Sequence, residues 1–219
     1  WQKRKALLKN RISAIAHKLI GTAAARLLHR NAPIVVNQEN YQKFRALFPY
    51  VETLDQEKAI NEIHNDLISG KLMDRLICAD VGYGKTEVAM RAAFFILDND
   101  PTKQVAVVVP TTVLARQHFA TFKKRFTDLG FSVAQLSRLV SAKEQKSIKE
   151  QIALGNINII IGTHGLFSEK LAFKNLDLVV IDEEHQFGVK HKEKLKNLKK
   201  DAHILALSAT PIPRTLQMS

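Results

Sequence analysis

Lys85 and Thr86 close the stretch Ala79, Asp80, Val81, Gly82, Tyr83, Gly84, Lys85, Thr86, and Asp182 and Glu183 end an apolar run about a hundred residues later. These residue types, so spaced, suit phosphate chemistry. Gly82 and Gly84 lie between a short apolar run, Leu76-Ile77-Cys78, and a helix-like one, Val88 to Phe95. A glycine turn there lets successive backbone N–H groups point inward and, with the helix N-terminus, cradle phosphate oxygens. Lys85 then reaches the β- and γ-phosphates, and the Thr86 hydroxyl holds Mg²⁺. The usual pattern opens with glycine where Ala79 stands, but the phosphate-facing glycines and the Gly-Lys-Thr end are intact. No third glycine follows at the offset a dinucleotide-binding turn needs. A lysine-bearing surface turn is the plain alternative, and the strand, turn, helix order speaks against it.

Leu178-Val179-Val180-Ile181 leads directly into Asp182-Glu183-Glu184-His185. An acid at the end of a buried parallel strand emerges at the sheet's carboxyl edge, where ligands bind. Asp182 is therefore placed to hold Mg²⁺, usually through water, and Glu183 to orient and deprotonate an attacking water. Alone, the four residues could equally be a surface acid cluster or half a metal site; after a phosphate loop, ATP hydrolysis is the better reading. Ser208-Ala209-Thr210 ends a further strand, where small hydroxylated residues can bridge the acid cluster to a moving partner. Thr111, Thr112, Thr163 and His164 follow two more strands at the same edge. Hydroxyls and free N–H groups at helix starts suit nucleic-acid phosphates, although ordinary N-capping explains them too.

The elements that position these residues follow from apolar periodicity. Strands are predicted at 75–79, 104–109, 132–137, 157–161, 177–181 and 203–208, and helices at 85–97, 112–126, 141–154 and 190–199. Val105 to Val109 and Leu178 to Ile181 are continuously apolar, as in parallel strands covered on both faces. The alternation predicts a doubly wound α/β domain. Ahead of it, Tyr41, Phe44, Leu47 and Phe48 suggest a short helix before Pro49, and Thr53 is a plausible N-cap for another carrying Ala59, Ile60, Ile63, Leu67 and Ile68. Residues 2–30 read as one long amphipathic helix, with Leu8, Ile12, Ile15, Leu19, Ala23 and Leu27 three or four apart, ended by Asn31-Ala32-Pro33. It could pack on the next domain, contact DNA, or connect to a missing partner.

The 219 residues suffice for one good-sized domain and an appendage. Hydrophobic and charged contents of 46% and 25% are those of a soluble globular protein, and no apolar run approaches the roughly 20 residues that span a bilayer. Cys78 is the only cysteine, which excludes a disulfide framework and a thiolate metal cluster. In a core strand it reads as a small buried hydrophobe, and the composition fits a reducing, cytoplasmic setting. The net charge of +12 favours a polyanionic partner. Eight of the Lys and Arg residues fall in residues 1–30, which hold no acid, so the remainder is only mildly basic.

Phosphate loop, acid box and Ser-Ala-Thr, in this order and spacing, resemble the first RecA-like lobe of a superfamily-two helicase or translocase. Finer matches are Phe48-Pro-Tyr-Val-Glu-Thr-Leu-Asp-Gln56, Met73-Asp-Arg-Leu, Gly84-Lys-Thr-Glu-Val-Ala-Met-Arg-Ala-Ala93, Ser141-Ala-Lys-Glu-Gln145, Asp182-Glu-Glu-His-Gln-Phe-Gly-Val-Lys-His-Lys-Glu193 and Ala209-Thr-Pro-Ile-Pro-Arg-Thr-Leu216. These resemble the bacterial transcription-repair-coupling factors, with the branched-DNA helicase RecG a close relative. The match runs from about residue 45 to the end; residues 1–40 look like the family's helical connector, leaving 41–219 as the lobe. The resemblance implies a RecA-like P-loop NTPase fold, mostly parallel with helices on both faces of the sheet, using ATP and Mg²⁺. It implies an enzyme that walks on double-stranded DNA, displaces stalled RNA polymerase and recruits excision-repair proteins. Carried over by motif, Thr53 and Gln56 would recognise adenine with Tyr50 stacking beside it, and Ala79 to Thr86 would bind the phosphates. Ser208 and Thr210 would couple hydrolysis to movement, and Thr111, Thr112, Arg138, Thr163 and His164 lie in segments resembling DNA-contacting motifs.

In that family a second lobe supplies arginine fingers, and it is absent from this sequence. Such a finger is worth about 10³–10⁵ in rate, so little turnover is expected of this chain alone. A RecG-type helicase lobe, a non-catalytic nucleic-acid-binding module with a relic phosphate loop, and a small-molecule kinase are the alternatives. A relic should have lost at least one of Lys85, Thr86, Asp182 and Glu183, and no lid or acceptor-site pattern marks a kinase.

Overall fold

The computed structural model describes residues 21, 26, 31–168, 171–183, 187 and 202–209. The helix expected over 190–199, the coupling residue Thr210 and most of the helix expected over 2–30 lie outside the described residues; Gly21 and Arg26 are helical. The described elements run α1 (Gln38–Ala46), α2 (Leu54–Ile68), β1 (Asp74–Cys78), α3 (Lys85–Asn99), β2 (Gln104–Val108), α4 (Thr112–Phe126), β3 (Val133–Leu136), α5 (Ala142–Leu154), β4 (Ile159–Gly162), β5 (Leu176–Asp182) and β6 (His203–Ser208). From β1 onward, each lies within two residues of its expected bounds.

The six strands form one sheet in the order β1-β6-β5-β2-β4-β3, and every pairing is parallel. Apolar residues on both faces of the strands explain why helices cover both. Val105 and Val107 of β2 face a core shared with α1 to α4, while Ala106 and Val108 face a second core closed by Ile152 of α5 and by Leu166 and Phe167. No helix among the described residues is long and apolar enough to cross a membrane.

One expectation fails and one helix ends early, each for a local reason. The first is β1, read as a buried strand with a buried Cys78. Among the described residues it is an edge strand, its residues alternate between exposed and half-buried, and Cys78 is exposed. The short apolar run could not reveal that, among the described residues, β6 alone flanks it. The second is α1, which buries Phe44 but stops at Ala46, leaving Leu47 as an exposed C-cap. Pro49 disfavours helical backbone at Phe48, so the helix closes before the apolar stripe does.

An ionic cluster ties α1, α3 and α4 together. Arg91, fully buried, donates through Nε to Glu87 Oε1 at 2.7 Å, through Nη1 to the Tyr41 hydroxyl at 3.1 Å, and through Nη2 to Glu52. Arg125 of α4 reaches both Glu87 oxygens at 3.1 and 3.2 Å and the Phe44 carbonyl at 3.1 Å. The Phe44 ring lies 4.7 Å from the Arg125 guanidinium and 5.7 Å from that of Arg91. Burying these four charges is tolerable only because each meets its opposite within hydrogen-bond distance. Glu52 directly precedes Thr53, and Glu87 lies two residues past Lys85, so the cluster fixes α2's entry against α3's first turn.

Candidate nucleotide site

The phosphate-loop stretch leaves β1 at Ala79 and enters α3 at Lys85. Gly82 and Gly84 adopt φ of 86° and 73°, in the left-handed region that glycine enters without Cβ strain. Gly84 is the N-cap of α3, and a Cβ there would lie 2.4 Å from Gln56 Nε2; at Gly82 nothing stands within 4 Å. The first N–H groups of a helix have no intrahelical acceptor, so α3 offers Lys85 and Thr86 N–H at the mouth of the loop. Lys85 Nζ donates to the carbonyls of Ala79 and Asp80 at 2.6 and 2.9 Å.

α2 meets this loop through its capping box. Thr53 Oγ1 accepts from Gln56 N–H at 3.2 Å, and Gln56 Oε1 accepts from Thr53 N–H at 3.0 Å. The other end of the Gln56 amide donates to the Tyr83 carbonyl at 2.7 Å. Both polar ends of a residue expected to read adenine are therefore engaged within the chain. A cavity of about 560 Å³ opens beside the loop, lined by Gln56, Cys78, Asp80, Tyr83, Lys85 and Ala209 among others. Tyr50 does not line it: it is 75% exposed, edge-on to Phe48 at 5.5 Å, and borders a separate cavity with Arg45 and Glu52.

Parallel pairing brings the acid box and the Ser-Ala pair to the same edge as the loop. Cys78 is in register with Ser208, and Asp182 with Leu207. Ala79 N–H donates to the Ser208 carbonyl at 3.1 Å, Glu183 N–H to the Leu207 carbonyl at 2.8 Å, and Ala209 N–H to Glu183 Oε2 at 3.4 Å. Glu183 has φ of 53°, a left-handed conformation that costs a non-glycine residue about 1–2 kcal/mol. Such strain persists where surrounding bonds over-determine it and gathers at working sites. Asp182 and Ser208 are buried.

The residues present fit a nucleotide with Mg²⁺. The left-handed glycines leave backbone bare where phosphate must approach, and Thr86, Asp182 and Glu183 are hard oxygen donors of the kind Mg²⁺ takes beside phosphate oxygens. The residues proposed for DNA are more dispersed. Thr111 is exposed and N-caps α4 by accepting from Leu114 N–H at 3.2 Å; Thr112 and His164 are half-buried, Thr163 is buried and Arg138 is exposed.

Sequence reasoning missed His118, whose Nε2 lies 3.0 Å from Asp182 Oδ2, and the ionic residues Glu52, Glu87, Arg91 and Arg125. A signal was present: in α4 the core-facing positions Ala115, His118, Phe122, Arg125 and Phe126 include two polar side chains, as α3 does with Glu87 and Arg91.

Comparison with known proteins shows the family. Curated transcription-repair-coupling factors match the whole chain: 58% identity over 221 residues for that of Rickettsia bellii and 45% over 219 for that of Escherichia coli. The chain spans about 20% of the length of these relatives. Among solved structures, RecG bound to a three-way DNA junction is 37% identical with a TM-score of 0.74, covering 88% of this chain and 26% of that one. A DEAD-box helicase bound to single-stranded RNA shares the fold, at 22% identity and a TM-score of 0.65 over 84% of this chain and 40% of the other. Residues 53–219 match the family described as DEAD/DEAH box helicase. That match covers most of the sequence and every segment of the site, and the chain belongs to the DEAD/DEAH box helicase family.

Proposed function

We propose that residues 41–219 are the nucleotide-binding lobe of an ATP-driven double-stranded-DNA translocase of the transcription-repair-coupling type, and that residues 1–40 are its helical connector. The carrying observation is the hydrogen bonding of three distant segments at one sheet edge: Ala79 to Ser208, Glu183 to Leu207, and Ala209 to Glu183. A phosphate loop joined in this way to an acid and to a coupling strand suits a motor better than a passive binding module.

In this reading Lys85 and the loop N–H groups bind the ATP phosphates, and Thr86 and Asp182 hold Mg²⁺, which would offset phosphate charge. Glu183 orients the attacking water and takes its proton. Thr53 and Gln56 read adenine, Gln56 giving up its bond to the Tyr83 carbonyl to do so, and Tyr50 turns from Phe48 and its separate cavity to stack. Ser208 and Thr210 transmit the change at the acid box. Thr111, Thr112, Arg138, Thr163 and His164 lie toward DNA. RNA polymerase and excision-repair proteins would be partners of the longer protein in the cytoplasm. A RecG-type lobe is the second reading, favoured by the likeness to the junction-bound RecG structure.

The test is steady-state ATP turnover by the chain, with and without duplex DNA, beside Lys85→Ala. Low turnover that rises when a second motor lobe is added, and is absent in Lys85→Ala, is the expected result. Full turnover by the chain alone would mean that its site is complete without a second lobe. Capture of RNA polymerase by the longer protein separates the coupling-factor reading from the RecG one.

A further inference from the structure

His118 sits on the core face of α4 and is 7% exposed, with its ring 6.3 Å from that of Phe122. Nε2 lies 3.0 Å from Asp182 Oδ2, and Nδ1 is buried with no partner among the described residues. A carboxylate only accepts, so Nε2–H is the donor. Burying the ring with its second nitrogen unpaired forfeits that nitrogen's hydration with nothing in return. An aromatic hydrocarbon would fill the same space without that cost, so packing does not explain the residue.

We infer that His118 is a positioning residue for Asp182: its Nε2–H holds Oδ2 and so fixes the rotation of the carboxylate offered to a divalent cation. This rests on the reading of Asp182 as the Mg²⁺ residue. An imidazole is well suited, because it can donate without bringing the full positive charge of lysine or arginine, which would compete with the cation. A carboxylate without that bond rotates, and the cation must then order it on binding. Partners of metal-binding side chains are typically worth 10–100-fold in metal affinity.

The experiment measures binding of adenosine 5′-(β,γ-imido)triphosphate by calorimetry across a Mg²⁺ titration, using the full chain, His118→Phe, His118→Gln and Lys85→Ala. The expected result is unchanged affinity without Mg²⁺ and about a tenfold higher Mg²⁺ requirement in His118→Phe. His118→Gln, whose amide nitrogen can occupy the place of Nε2, recovers most of it. A second readout needs no nucleotide: ¹⁵N spectra of the histidine rings should show His118 protonated at Nε2, with that signal shifted in Asp182→Asn. If His118→Phe does not fold, the glutamine variant and the spectra decide. Wild-type Mg²⁺ dependence in both histidine variants overturns the inference and leaves the nucleotide reading intact. Absence of nucleotide binding in the wild type, as in Lys85→Ala, overturns both.

Discussion

Gln56 Nε2 lies 2.7 Å from the Tyr83 carbonyl, in the space that a Cβ on Gly84 would enter. The start of α2 and the phosphate loop are thus fitted to each other through one amide and one missing methyl group. Gly84→Ala must place a Cβ at a φ of 73° and displace that amide, whereas Gly82→Ala meets only the backbone penalty. The left-handed conformation costs about 1–2 kcal/mol in each, and the lost hydrogen bond adds about 1 kcal/mol at Gly84. Urea unfolding should rank Gly84→Ala below Gly82→Ala, and nucleotide titration should show the larger affinity loss in the same variant. Equal effects would mean that Gln56 yields freely.

Arg91 has no solvent to retreat to. Arg91→Met removes the cation shared by Glu87 and Glu52 and leaves each with one remaining partner, Arg125 and Arg45, so the loss should fall short of about 3–5 kcal/mol, the cost of a buried charge left wholly uncompensated. Arg75→Met, which breaks pairs with the partly exposed Glu62 and Asp66, should lose about 1 kcal/mol or less. Denaturation midpoints of the two variants provide the comparison. Adding Glu87→Gln to Arg91→Met should deepen the loss, because it takes away the carboxylate that the buried Arg125 pairs with.

His203 is buried at the start of β6, where Nδ1 accepts from Met73 N–H at 3.0 Å. Burial lowers its pKa from the ordinary 6.5; Arg26 and Lys103 push the same way, and Asp177 and Asp66 oppose them. The folded state therefore keeps the ring neutral at pH values where the unfolded chain takes up a proton. Stability from this residue is complete above about pH 6.5 and is lost as the pH falls toward the depressed folded value. The slope cannot exceed about 1.4 kcal/mol per pH unit for one proton. His64, also lowered by burial, adds in the same direction. Unfolding free energies at pH 7.5 and 5.5 should differ less in His203→Gln than in the wild type.

Cys78 should react with a thiol reagent in the folded protein, since it is exposed on the edge strand and lines the loop cavity. A nucleotide seated on the loop should slow that reaction. A thiol that reacts only in denaturant would contradict its exposure.

What the sequence revealed and what it hid follow one physical distinction. The glycines and Gly-Lys-Thr end of the loop are local, and Asp182 closes an apolar run, so the turn and the strand end were legible without knowing the neighbours. The helix at Thr53 was legible because a capping box is complete within four residues. The pairing of His118 with Asp182 was not, because 64 positions separate them, and neither was that of Arg91 with Glu52, 39 positions back. Cys78 was misread because burial of a strand depends on its place in the sheet, and the order β1-β6-β5-β2-β4-β3 is a property of the whole chain.

The pairing of β1 with β6 alone among the described strands also bears on how the protein is made. Residues 74–78 find their strand partner in residues 203–208. On a ribosome, β2, β4 and β3 can associate while β1 still waits, because the strand that seats it is synthesised last of the six. The base of the phosphate loop is therefore assembled late, and a nascent chain truncated before His203 should not retain nucleotide even though every loop residue has emerged.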